Sequence, residues 1–487
     1  MLFWLALFCA SIIFVFKLGK NIFYTKLHNL PLPPGPKASW FGKVKLPTSF
    51  AWRTYAEWRD TYGDMIYIYI FGNPILVLNS AQAISDLLEK RSVNYSSRPI
   101  RTMVVELIGW DWLFSSMPYG NIWKQHRNLF MKYFPSNGFH DRHRSLQAEE
   151  VHTLLRNLLH DPAQFSYYIR RTSAAIIVKL TYGINIDQHI DEGGDNYVTL
   201  ADKAISSLRS AGLFGSFLVD YIPMLKHIPK WFPGAHWKRQ ALEWRKTVDK
   251  MANVPFNIAK TRMAQGNTVY SIVGEELEAI ASGRTDGDEI LIRNMAATTY
   301  TAGADTVVSS ITSLLLAMCC SKPEVQNKAQ RELDQLGRLP VFSDRSQLPY
   351  IECICHELLR WNPVVPLSLA RCVSKEDEYR GYRIPKGTTV IPNVWAILHD
   401  PSVYPNPFEF DPERFMDPEK NAARGINTFP DAVFGFGRRT CPGRSFAFDL
   451  LWIAVASILA VFDISPPLNE SGQPIHLEPL FSSGLIR

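Results

Sequence analysis

Hydrophobic positions along this chain follow three different rhythms. Leu2 to Phe16 is apolar throughout except for Ser11. Tyr67 to Leu78 is β-rich and interrupted by Gly72-Asn73-Pro74, which predicts a hairpin. From about residue 80 to 335, apolar residues recur at spacings of three and four, the period of amphipathic helices. Short strands are predicted again over Tyr379 to Ile391, where Gly381, Pro385-Lys386-Gly387 and Pro392 act as turn signals. Ile292 to Cys320 reads as one long helix that Gly303 weakens near its middle. Ser445 to Phe462 is a second long apolar segment, but it contains Asp449 and follows an arginine-dense loop, so it reads as a buried helix. No repeat or low-complexity break divides residues 41–487. The expectation is one large, mainly α domain with small β-sheets.

The first apolar run spans roughly 23 Å as a helix, and Leu18, Ile22, Phe23 and Tyr24 extend it toward the ~30 Å of a hydrocarbon core. Its basic residues, Lys17, Lys20 and Lys26, follow the run instead of preceding it as in a cleaved signal peptide. Residues 1–24 are therefore expected to form a membrane anchor with the body on the cytosolic side. Residues 25–40 are expected to be a linker whose Pro31-Leu32-Pro33-Pro34-Gly35-Pro36 makes a stiff, extended hinge.

Composition narrows the class. Hydrophobic residues make up 46% of the 487 positions and charged residues 20%, enough for a sizeable core. The net charge of +6 is too diffuse for a nucleic-acid binder. Seven cysteines without a repeating spacing argue against a secreted disulfide framework. Cys353 and Cys355 lie about 200° apart around one predicted helix and read as core residues.

Several chemistries are missing from the chain. There is no phosphate loop, no nucleophile elbow and no glycine-rich dinucleotide fingerprint. His356-Glu357-Leu358-Leu359-Arg360 imitates a zinc motif, but arginine stands at the second ligand position. The strongest local signal is Phe434-Gly435-Phe436-Gly437-Arg438-Arg439-Thr440-Cys441-Pro442-Gly443. Two glycines permit an unusual backbone path, and Cys441 then precedes a long helix whose dipole favours a thiolate. Arg438, Arg439 and Arg444 could receive carboxylates or phosphates. From these residues alone Cys441 is a buried structural cysteine, a nucleophile awaiting an imidazole, or an axial thiolate to haem iron.

The decapeptide resembles the haem-binding signature F-x-x-G-x-R-x-C-x-G of the cytochrome P450 family, with every fixed position matched. Trp123-Lys124-Gln125-His126-Arg127 resembles W-x-x-x-R, and Ala302-Gly303-Ala304-Asp305-Thr306 resembles the oxygen-activation segment. Glu357 to Arg360 matches E-x-x-R, and Pro412-Glu413-Arg414-Phe415 matches P-E-R-F. The apolar start and Pro33-Pro34-Gly35-Pro36 resemble the anchor and hinge of microsomal members, and the wording of these segments together is most similar to fungal ones. The resemblance implies the cytochrome P450 fold and haem b with Cys441 as its axial thiolate and Phe434, Gly437 and Gly443 as further cofactor contacts, the aromatic Phe434 and Phe436 sheltering the site. Arg439, Trp123, Arg127 and Arg371 are the implied propionate contacts. Glu357, Arg360 and Arg414 are the implied buried structural network. Thr306 would hold activated oxygen and a water, and Asp305 would help deliver protons. The residue-level rival is that Asp305 and Thr306 merely cap a second helix.

The implied function is a monooxygenase on the endoplasmic reticulum membrane that inserts one atom of O2 into an apolar small molecule, such as a terpenoid of fungal secondary metabolism. Because no dinucleotide site is visible, electrons would come from a separate NADPH-dependent flavoprotein reductase. Lys124, Arg127, Lys132, Arg438 and Arg444 are candidates for its docking face. Substrate contacts are expected from Met103–Met117 (with Trp110, Trp112 and Phe114), Leu213–Phe217, Thr298–Ala302, Val364–Leu369 and Phe481–Gly484. The alternatives are a haem-thiolate isomerase or dehydratase needing no O2, and a haem-binding sensor.

Overall fold

The hairpin near Tyr67 forms, with its turn one step earlier than Gly72-Asn73-Pro74 suggests. Strands β1 (Met65–Ile70) and β2 (Asn73–Leu78) pair antiparallel, with Tyr69 opposite Pro74. Phe71 and Gly72 make the turn at φ values of 46° and 82°, the positive pair that a tight hairpin requires. Pro74 precedes Ile75, where β2 begins to pair in parallel with β6 (Thr389–Pro392), so its missing N–H leaves that ladder intact. With β3 (Arg371–Cys372) the sheet order is β1-β2-β6-β3. Strands β4 (Asp377–Tyr379) and β5 (Tyr382–Ile384) form a separate ribbon.

This computed structural model describes residues 30–36, 46–47, 49–135, 141–188, 196–212, 215–266, 269–423 and 429–486. The expected anchor at 1–24 and most of the linker lie outside the described residues. The hinge, expected as a spacer, rests on the body: Tyr67 N–H donates to the Pro34 carbonyl at 2.8 Å and Arg383 N–H to that of Pro31 at 2.9 Å.

The longer helices are α1 (Ala51–Tyr62), α2 (Asn121–Tyr133), α3 (Asp141–His160), α4 (Phe165–Tyr182), α5 (Tyr197–Ala211) and α6 (His236–Ala264). They continue with α7 (Ile272–Ala281), α8 (Glu289–Gly303), α9 (Thr306–Cys320), α10 (Pro323–Asp334), α11 (Pro349–Trp361) and α12 (Arg444–Val461). The single helix expected over Ile292–Cys320 is thus two, α8 and α9, and the break serves two cores. Ile292, Ala296, Ala297, Tyr300 and Ala304 join a core built with α4, α5 and α6. Val307, Val308, Ile311 and Leu314 join another with α3, α11 and α12. Helix α12 is buried among α3, α9, α10 and α11, as its long apolar sequence demands. Cys353 and Cys355 are core residues.

Candidate functional site

The loop before α12 passes closer to its neighbour than a side chain allows. Gly437 has φ of 52°, and a Cβ there would lie 2.2 Å from the Leu88 carbonyl oxygen. The loop closes on itself where Cys441 N–H donates to the Phe434 carbonyl at 2.7 Å. The Cys441 side chain is accessible even though protein surrounds it, so an open space lies beside it in the interior. Burial pushes its thiol up, while the Gly443 N–H, Arg127 and Arg444 pull the other way. The Gly443 N–H and the two arginines thus act in the direction of the thiolate expected from the helix dipole, and burial acts against it. Among the described residues no group of three or more His, Cys, Asp or Glu could hold a metal. A metal at Cys441 must bring its other ligands with it, which is what a porphyrin does.

Four arginines converge near this loop. Arg439 donates to the carbonyls of Ser96 (2.8 Å) and Met117 (2.7 Å), and its Nη1 is buried without a partner. Arg371 donates through Nη2 to the Phe436 carbonyl at 3.0 Å, leaving Nε and Nη1 buried and unpaired. Arg127 donates to the Thr440 carbonyl at 3.0 Å. Arg98, which the motif reading missed, donates to Ser115, Leu369 and Ala370. Trp123 holds the group together, with its ring centre 4.1 Å from Arg439 Cζ and 5.6 Å from Arg127 Cζ. None of the four has an ion-pair partner among the described residues. Burial, then Arg98 and Arg127, push Arg439 down to about 8; burial, then Arg439 and Arg127, push Arg371 down to about 9. A guanidinium stays protonated, so these shifts express how strongly the cluster requires an anion. Two carboxylates, the propionates of haem b, meet that requirement with the right charge and acceptors. Arg98 had one sequence signal: it stands in Ser92–Val105, a stretch without an acidic residue.

The break between α8 and α9 is held by side chains. Thr306 Oγ1 donates to the Ala302 carbonyl at 2.8 Å. The Asp305 carboxylate is buried and bound by Arg209 (2.8 and 3.1 Å) and Arg170 (3.2 Å). Asp202 joins the same arginines at 3.0 and 2.9 Å. A void of about 10 Å³, roughly one water, lies among Arg170, Asp202, Arg209 and Asp305. Asp305 occupies the cap position of α9 but makes no side-chain cap, so the simple capping account of this pair fails. Ala302 is exposed on a helix that is otherwise largely buried, with Thr306 and Ser309 partly accessible on the same face.

Glu357 and Arg360, one turn apart on α11, pair at 2.6 Å with both side chains fully buried. Glu357 also accepts from Asp411 N–H at 2.9 Å and lies 3.4 Å from Arg414. Arg360 reaches the carbonyls of Leu398 (3.0 Å) and Pro407 (2.9 Å), tying α11 to the P-E-R-F segment's approach.

Other expectations need correction. Trp110, Trp112 and Phe114 are buried core residues, with Trp110 Nε1 donating to Ser207 at 3.0 Å. Leu213 lies outside the described residues. Within the other expected segments Ala302, Val364, Val365, Leu369 and Phe481 keep accessible surface. The basic face is smaller than its sequence suggests: Lys132 binds Glu276 at 2.5 Å, Arg444 pairs with Asp431, and Arg127 turns to Thr440.

Comparison with known proteins agrees with this geometry. The family model described as Cytochrome P450 matches residues 32–484. Cytochrome P450 monooxygenase 208 of Postia placenta is 41% identical over 463 residues, covering 94% of this chain and 88% of that one. Cytochrome P450 monooxygenase 98 of the same fungus is 42% identical over 457 residues, covering 92% and 86%. Tryptamine 4-monooxygenase of Psilocybe cyanescens is 37% identical over 464 residues, covering 94% and 90%. With its mainly helical body, interior cysteine and anion-seeking arginines, this chain belongs to the cytochrome P450 family of haem-thiolate monooxygenases.

Proposed function

We propose that the protein is a membrane-anchored monooxygenase of fungal secondary metabolism that oxidises an apolar, ring-containing small molecule. The observation carrying the haem assignment is the buried arginine group around Trp123, which has no counter-ion among the described residues and borders the accessible Cys441. Cys441 would be the axial ligand, and Arg98, Arg127, Arg371 and Arg439 would hold the propionates. Haem so ligated supplies reductive activation of O2, because a donating thiolate favours O–O cleavage.

The chain's own residues do the rest. Thr306 spends its proton on the Ala302 carbonyl, so its oxygen is free to accept a hydrogen bond from a water or a protonated group. To donate, it must let go of Ala302. Asp305 can carry a proton only after exchanging an arginine for water, since both its oxygens accept from the guanidinium groups of Arg170 and Arg209. The apolar accessible residues Ala302, Val364, Val365 and Leu369 favour a substrate without charge, and the tryptamine-oxidising relative supports an aromatic ring system. Electrons would come from a membrane-bound NADPH-dependent flavoprotein reductase, since the chain has no dinucleotide fingerprint, docking near Lys124 and Arg438. Residues 1–24 would anchor the protein to the endoplasmic reticulum.

The test is spectroscopic and then chemical. Reduced protein with carbon monoxide is expected to show the red-shifted Soret band of thiolate-ligated haem, and Cys441→Ser to abolish it. Product analysis with added reductase, NADPH, and terpenoid and indole candidates then identifies the substrate. Turnover that proceeds without NADPH would replace the monooxygenase reading with isomerase or dehydratase chemistry.

A further inference from the structure

One face of α4 touches the break between α8 and α9 at three successive points. Arg170 binds Asp305 at 3.2 Å. One turn on, Ser173 Oγ donates to the Gly303 carbonyl at 2.6 Å and is almost completely buried. One turn further, Ile177 lies against Gly303, where an added Cβ would come within 2.6 Å of Ile177 Cγ1. Glycine at 303 is therefore what lets α4 approach closely enough for the Ser173 hydroxyl to reach the backbone.

The hydrogen bond has a definite consequence for the helix. The α8 ladder ends with Ala304 N–H on the Tyr300 carbonyl (3.0 Å), and the α9 ladder resumes with Ser309 N–H on that of Asp305 (3.2 Å). Between them the Ala302 and Gly303 carbonyls are occupied by the hydroxyls of Thr306 and Ser173. A regular helix would give the Gly303 carbonyl to Val307 N–H. Ser173 adds a buried donor from α4 to that same carbonyl, which has two lone pairs, and so ties the backbone at the break to a second helix.

We propose that Ser173 is a positioning residue for oxygen activation: by holding the Gly303 carbonyl it ties the break to α4 and sets where Thr306 and Asp305 stand. This rests on the reading of Thr306 and Asp305 given above, and it adds a residue on a different helix that none of the sequence motifs contains.

The haem-loaded full chain provides the test. In Ser173→Ala the break loses its tie to α4, so hydrogen exchange at the amides of Ala304 and Ser309, whose bonds flank it, is expected to speed up by about fivefold or more. The rate at which dithionite-reduced protein reoxidises in oxygenated buffer, measured in H2O and D2O, is expected to move toward that of Thr306→Ala. Ser173→Thr, which retains the hydroxyl, restores both. The reduced carbon monoxide band and thermal melting identify any variant that has failed to fold, and Ser173→Cys, close in size but a weak donor, then takes the place of the alanine variant. In the double variant Ser173→Ala/Thr306→Ala, reoxidation no different from Thr306→Ala alone is expected if Ser173 acts through Thr306. If Thr306→Ala reoxidises like wild type, the underlying reading fails and the proposal with it. If Thr306→Ala differs from wild type while Ser173→Ala changes neither exchange nor reoxidation, the proposal alone is overturned.

Discussion

The guanidinium of Arg439 lies 4.1 Å from the centre of the Trp123 ring, stacking a buried cation from the cysteine loop on an aromatic side chain of α2. This contact joins two motifs more than three hundred residues apart and fixes the orientation of a donor whose Nη1 has no partner among the described residues. Trp123→Ala removes the ring and frees that cation. Haem affinity is expected to fall about tenfold, a loss of ~1.4 kcal/mol, within the range of desolvated cation–π contacts. Trp123→Phe should recover part of it. Haem titration of the apoprotein followed by Soret absorbance measures both, and equal affinities would show that Trp123 is only packing.

Glu357 is fully buried between Arg360 and Arg414. Glu357→Ala leaves two cations without their carboxylate and is expected to cost about 3–5 kcal/mol. Glu357→Gln preserves shape but not charge and should fall between wild type and alanine. Denaturant unfolding gives both values, and a loss under 1 kcal/mol for alanine would mean that the carbonyls around Arg360 suffice to hold it.

Gly437 combines φ of 52° with a 2.2 Å approach of its would-be Cβ to the Leu88 carbonyl. The left-handed conformation alone costs an alanine about 1–2 kcal/mol, and the backbone contact cannot relax by rotating a side chain. Gly437→Ala is expected to displace the Cys441 loop and lose haem at expression, seen as a reduced ratio of Soret to protein absorbance. A fully loaded variant with wild-type melting would refute the steric argument.

His126 ties α2 to α8. Its Nδ1–H donates to the Ile122 carbonyl at 2.8 Å, and its Nε2 accepts from Asn294 at 3.3 Å. Burial, opposed by the Ile122 carbonyl and Asp288, lowers its pKa from 6.5. The folded state therefore binds fewer protons than the unfolded state as pH drops below 6.5, and stability falls with pH in that window. Chemical unfolding at pH 7 and pH 5.5 should show this loss, and His126→Gln should reduce the dependence. An unchanged slope in the variant would assign the acid sensitivity to other groups.

The sequence by itself determined the local chemistry. Glycine spacing before Cys441, the one-turn pairs Trp123–Arg127 and Glu357–Arg360, and the long apolar run of α12 are short-range patterns, and the structure places each as its spacing predicts. The hairpin at β1 and β2 was legible too, although its turn falls on Phe71 and Gly72, one step earlier than Gly72-Asn73-Pro74. Tertiary structure alone decided which charges are free. Arg98, Arg127, Arg371 and Arg439 come together from four separate segments, whereas Lys132 and Arg444 meet carboxylates that sequence distance gave no reason to expect. It also decided that Trp110, Trp112 and Phe114 pack into the core, and that a serine on α4 takes the carbonyl at the helix break. The physical reason is range. Helix spacing and turn geometry act over a few residues, while desolvation, ion pairing and close helix contact depend on which distant segments the folded chain brings within a few ångströms.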